Sequence, residues 1–200
     1  AEHLSGLAAF IIRAAFWSVL LIGLVDTVIS FLRVEGFLAG FVGDDLTTKL
    51  GLSRFRGAFV HYPLILLSLV IAFFTRTLGF AWLALLVVVA ELQIVIARFI
   101  FSYEQAFMGD LVRFWYAALF LFASAYTLTE EGHVRVDVLY TGFSDRGKAM
   151  TNMIGSLLLG LPLCWIILSM GMAGRATVIN SPLLSFETSQ SGFGLYVKYL

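Results

Sequence analysis

Charge is scarce in this sequence, and neither sign is in excess. Of 200 residues only 13% are Asp, Glu, Lys or Arg, with 13 basic against 13 acidic. Soluble domains carry roughly 25%. So sparse and balanced a set leaves no electrostatic footprint for DNA or RNA. Cysteine is nearly absent: Cys164 stands alone. That excludes an internal disulfide framework and any multi-cysteine zinc or iron–sulfur site. Histidine is limited to His3, His61 and His133, a thin stock for a metal centre. A phosphate-binding glycine loop is missing, so the chain does not hydrolyse ATP by itself. No Ser/His/Asp or Cys/His arrangement falls where a nucleophile would be activated.

What is abundant is apolar side chain. Sixty per cent of the residues are hydrophobic and the mean hydropathy is +0.94. A 22.1 kDa globule keeps too much surface for its volume to hide that load. The composition excludes a soluble enzyme and a disordered chain, and lipid is the solvent it fits. A spanning helix needs about 20 mostly apolar residues. Five stretches meet or approach this: Leu7 to Leu32, Gly57 to Phe74, Leu78 to Phe101, Leu111 to Leu128, and Met153 to Ala173. No strand alternation competes, and helices satisfy their own backbone in lipid. The expected fold is an all-α polytopic helical membrane protein with five spans. The aromatic, glycine-rich stretch Gly192–Leu200 reads as an interfacial anchor opening a sixth span.

The connections carry secondary signals. Asp44 and Asp45 in the 33–56 loop suit the start of a short surface helix, with an Asp as its N-cap. Ser144 suits an N-cap for the fifth span, with Asp145 in its first turn, and Pro162 predicts a kink there. Between residues 102 and 113, Ser102 and Gln105 have capping-box spacing. Tyr103, Phe107, Leu111 and Phe114 share one helical face. This pattern fits an amphipathic helix lying in the membrane surface; the alternative is a polar extension of the fourth span. Counting positive charge does not orient the chain. Arg33, Lys49, Arg54 and Arg56 flank one connection, Arg135, Arg146 and Lys148 another, and the two fall on opposite sides.

Charges inside spans are costly and are candidate functional groups by default. Asp26 lies deep in the first span. Glu91 lies in the middle of the third, and Arg98 follows seven residues later on the same face. A coupling site gathers several carboxylates or broken-helix backbone around an ion, whereas these are isolated. They are expected to make interhelical or partner contacts, with Arg98 able to reach the headgroups. Bis-histidine haem ligation would need His61 and His133 to face one another across a ring. Their places, at the start of the second span and in a loop, do not suit it. No cofactor, metal or catalytic residue is expected.

The segment from Asp110 to Asp137 carries a resemblance. Gly132, His133, Arg135, Val136 and Asp137 complete a Gly-His-x-Arg-Val-Asp motif at the end of the fourth span. Upstream, Leu111 and Arg113 fit a Glu-Glu-Leu-x-Arg motif, in which Asp110 replaces the second Glu and Gly109 the first. Together with the order of spans, this resembles the small, DctQ-like membrane subunit of tripartite ATP-independent periplasmic (TRAP) transporters. The resemblance covers Trp82 to Leu200. It divides the chain into a two-span N-terminal extension, residues 1–76, and a DctQ-like region, residues 77–200, as in a longer variant of the family. It implies a non-catalytic scaffold subunit in a bacterial or archaeal cytoplasmic inner membrane. The partners it implies are a large multi-span, elevator-type DctM-like subunit and a DctP-like periplasmic binding protein. The implied activity is sodium-coupled uptake of organic acid anions. Arg135 and Asp137 would fasten the turn or meet the partner, with His133 hydrogen-bonding nearby. A membrane anchor for a respiratory or redox complex is the alternative.

Overall fold

The computed structural model describes residues 2–76, 80–100, 102, 108–129, 140–174, 177, 187–188 and 195–196. It is helical almost throughout. The first helix, α1, runs unbroken over Glu2–Val34. Three short helices follow: α2 (Leu38–Val42), α3 (Asp44–Leu50) and α4 (Ser53–Arg56). A π turn at Gly57–His61 leads from α4 into α5 (Tyr62–Phe74). Next come α6 (Phe80–Ile100) and α7 (Met108–Thr129). The last long helix consists of α8 (Asp145–Gly155), a π turn at Ser156–Gly160, and α9 (Leu161–Met172). Two residue pairs, Glu187–Thr188 and Leu195–Tyr196, form a brief antiparallel bridge.

Each of the five expected apolar stretches is helical over nearly all of its described residues. Among the described residues three helices are long and apolar enough to cross a membrane: Leu4–Val34, Arg54–Phe74 and Asp145–Met172. The two π turns have a common cause. Each lies just before a proline, Pro63 or Pro162, and closes through an i+5 bond: the Tyr62 N–H donates to the Gly57 carbonyl, and the Leu161 N–H to that of Ser156. A proline ring crowds the carbonyl four residues back and offers no N–H. Widening that one turn accommodates the ring without breaking the helix.

The helix starts show one agreement and one correction. Ser144 caps α8, its hydroxyl accepting from the Gly147 N–H at 3.4 Å, with Asp145 in the first turn. The N-cap of α3, however, is Gly43 and not an Asp. Gly43 has φ 81°, a conformation open to glycine at little cost. Asp44 and Asp45 instead occupy the first turn, where their charge favours the helix dipole.

The 102–113 region is described only in part, and the in-plane helix is not confirmed there. Ser102 has φ 51°, and residues 103–107 lie outside the described ones. Met108 to Arg113 run directly into α7 as one helix. Leu111, placed above on a membrane-facing stripe, is buried at 1% exposure, and Phe114 packs against the same core. The reason is a continuation of the stripe. Leu111, Trp115 and Ala118 follow at steps of four and three, so one face runs on into the span and turns toward protein.

That core lies where three helices meet. Val19 of α1, Val87 and Ala90 of α6, and Leu111, Trp115 and Ala118 of α7 form one buried cluster. Phe16 of α1 meets Phe122 of α7 edge to face, with centroids 5.8 Å apart. The closest approach is at Gly23. A Cβ there would stand 2.9 Å from Cε2 and 3.1 Å from Cζ2 of the Trp115 indole. Only the missing side chain lets the ring lie against α1, the small-residue packing expected between membrane helices. The helix Asp145–Met172 differs: none of its apolar window is buried.

Gly23→Ala should lower stability by about 1–3 kcal/mol, the usual cost of overpacking. The loss should shrink sharply in a Trp115→Ala background. Thermal unfolding of both pairs in mild detergent measures this, and an equal loss in the two backgrounds would contradict the contact.

Candidate functional site

Among the described residues the most polar buried place joins α1 to α5 and the turn before it. α1 and α5 run antiparallel, and polar groups link them along their length. Near the N-terminal end, Arg13 Nε–H donates to the Ala72 carbonyl at 3.4 Å, and Trp17 Nε1–H to Thr75 Oγ1 at 3.0 Å. Further along, the hydroxyls of Ser18 and Ser68 hydrogen-bond to one another, and that of Ser18 also donates to the Ala14 carbonyl at 2.8 Å.

At the other end lies a cluster of charge. Asp26 of α1, Arg56 at the end of α4 and His61 in the π turn are all buried at 0% exposure. His61 Nε2 is 3.0 Å from Asp26 Oδ1 and 2.9 Å from Oδ2. A carboxylate only accepts, so that nitrogen carries the proton and shares it between both oxygens. Arg56 Nη1 lies 3.6 Å from Asp26 Oδ1, while its Nε–H donates to the Leu50 carbonyl at 2.9 Å. Leu50 is the last residue of α3, where carbonyls lack helical partners. One guanidinium therefore ties together α1, α3 and the helix it ends.

The arrangement suits a lock more than a reaction. With a neutral imidazole, the charges of Asp26 and Arg56 cancel. A buried carboxylate tolerates a low dielectric when it is paired and hydrogen-bonded in this way. Among the described residues no group of three His, Cys, Asp or Glu stands ready to hold a metal ion. His61, which a haem-anchor reading would need as a ligand, is engaged by Asp26 through Nε2.

The other sequence candidates are scattered. Glu91 and Arg98 are exposed on α6, and Arg113 is exposed on α7. Asp110 falls in the first turns of α7. Gly132, His133, Arg135 and Asp137 lie outside the described residues. Sequence reading considered Asp26 alone and His61 only as a haem ligand, and it counted Arg56 only as loop charge. The residues were in view, an Asp in one apolar run with Arg and His at the mouth of the next, but their pairing shows only once the two runs are set side by side as an antiparallel hairpin.

The profile of the family described as "Tripartite ATP-independent periplasmic transporters, DctQ component" matches residues 85–197. That is more than half of the chain. The protein belongs to the DctQ family. It is therefore a small component of a TRAP transporter, a membrane-bound system, and the resemblance carried by Gly132–Asp137 is upheld. No curated protein and no solved structure matches the chain. The charge cluster lies in residues 26–61, ahead of the matched segment.

Asp26→Ala leaves Arg56 and His61 buried without their carboxylate. Breaking a buried pair from one side costs about 3–5 kcal/mol, a loss readable as a lower unfolding temperature in detergent. The exposed Lys49–Asp45 pair, at 2.6 Å, is the internal contrast. Lys49→Ala should cost about 0.5 kcal/mol or less. Comparable losses for the two variants would refute the lock.

Proposed function

We propose that this chain is the non-catalytic scaffold subunit of a sodium-coupled TRAP transporter for organic acid anions. The match to the DctQ family over residues 85–197 is the observation that carries this reading. The side-chain chemistry supports it. The buried side chains of Asp26, Arg56 and His61 are committed to one another. Substrate and sodium would bind on a large DctM-like membrane subunit, and a DctP-like periplasmic protein would deliver the anion. The small subunit would widen and steady the large one in a bacterial or archaeal inner membrane.

In this reading five helices cross the bilayer: α1, the α4–α5 helix, α6, α7 and the α8–α9 helix. The lengths of α6 and α7, 21 and 22 residues, suit the thickness of a bilayer core. Residues 1–76 are an added helix pair set against a DctQ-like region, residues 77–200. The bare surface of α8–α9 suits a subunit that is covered by lipid and by a larger partner. In the 130–139 stretch, Arg135, Asp137 and His133 would fasten the turn or the partner.

Affinity purification from native membranes in mild detergent tests the reading. A membrane protein of about a dozen spans should come with the chain and be identified by mass spectrometry. A haem-bearing or redox subunit in its place, or a homo-oligomer without company, would overturn it.

A further inference from the structure

A single carboxylate on α6 has no place in lipid. Glu91 lies near the midpoint of the helix, nine residues before its end at Ile100. At 1.5 Å per residue it is about 13 Å from that end. Its side chain is exposed, and it makes no hydrogen bond or ion pair among the described residues. Its neighbours on the same side, Val88, Leu92 and Val95, are exposed at 59%, 54% and 47%. These three belong in hydrocarbon or against another membrane helix. Arg98 lies only two residues from the helix end and its long side chain reaches the headgroup region. Glu91 is too short and too deep to do the same. A charge held in the bilayer interior faces protein or a water-filled cavity, and it pairs there.

We propose that the Val88–Val95 face of α6 is an interface with the large membrane subunit. The large subunit would bring an Arg, Lys or other strong hydrogen-bond donor to the depth of Glu91. This inference rests on the scaffold reading above and adds the surface and the chemistry of its partner. Symmetry argues against a second copy of this chain. Copies inserted with the same orientation relate by an axis along the membrane normal, so each residue lies at the depth of its equivalent, and the only charge the 88–95 face brings to that depth is another Glu91. Glu91 would then confront Glu91, like charge against like. A different protein with a cation at that level removes the repulsion and supplies the missing partner.

The test uses the whole transporter in native-like membranes, with Cys164 replaced by Ser. A photo-crosslinking residue placed at Val88 or Val95 should attach to the large subunit. Glu91→Lys should reduce the recovered complex by about tenfold or more, the scale on which reversing one partner of a buried pair acts. Glu91→Gln, which keeps the acceptor, should lose much less. If the unaltered chain brings the large subunit, yet position 88 and 95 crosslinks reach only lipid and Glu91→Lys leaves recovery unchanged, the interface is wrong while the scaffold stands. Crosslinks to another copy of this chain would also overturn it. If the unaltered chain brings no large subunit, the scaffold reading falls and this inference with it. The crosslinking arm stays decisive even where Glu91→Lys fails to fold.

Discussion

A carboxylate inside an apolar helix has to find its neutralising partner within the protein, and the N-terminal half of this molecule is arranged around that requirement. Asp26 is answered by His61 and Arg56, all three fully buried. Because Arg56 also takes the last carbonyl of α3, the same contact fixes the path of the connection between the first two long helices. The hairpin is then held at one end by the Asp26 cluster and towards the other by hydrogen bonds from Arg13, Trp17 and Ser18 to uncharged acceptors. Specific pairs of this kind set register where hydrophobicity cannot. In lipid every apolar face is equally satisfied, so polar bonds and close packing decide which helices meet.

The link from this hairpin to the family region is of the second kind. It has no ion pair among the described residues; it depends on a missing side chain at Gly23 and a large one at Trp115. Val19, Val87, Ala90, Leu111 and Ala118 close the space around the ring. The first hairpin is therefore packed through α1 against helices of the matched family segment.

Much of the helix layout could be read from composition and apolar run length, because both the span length and the need for internal backbone bonds are set by the bilayer. The Ser144 cap and the disturbance at Pro162 were equally readable, since each acts on its own turn. Three features were not. The pairing of Asp26 with His61 and Arg56 depends on which helices are neighbours, which no single run encodes. The Gly23–Trp115 contact depends on the rotation of α1 against α7. The stripe through Leu111 is apolar whether it meets lipid or protein, and only the ring of Trp115 beside it turns the balance toward protein.

The two members of the hairpin are unequal. The candidate span in α1 covers 31 residues, Leu4–Val34, while that of its partner covers 21, Arg54–Phe74. At 1.5 Å per residue these are about 46 Å and about 32 Å, against a hydrocarbon thickness of about 30 Å. The shorter helix fits a bilayer upright. The longer one overshoots it, and the bond from Arg13 to Ala72 near the end of α5 marks where the partner stops. Leu4, Leu7 and Ile11, all exposed, extend past that point. A membrane matched to the short helix leaves those residues to be accommodated by tilting α1 or by thickening the surrounding lipid, both recognised responses to hydrophobic mismatch. Since α1 is also bound to α7 through Gly23, any tilt it adopts is passed to the family region, and bilayer thickness becomes a variable in how that region stands in the membrane.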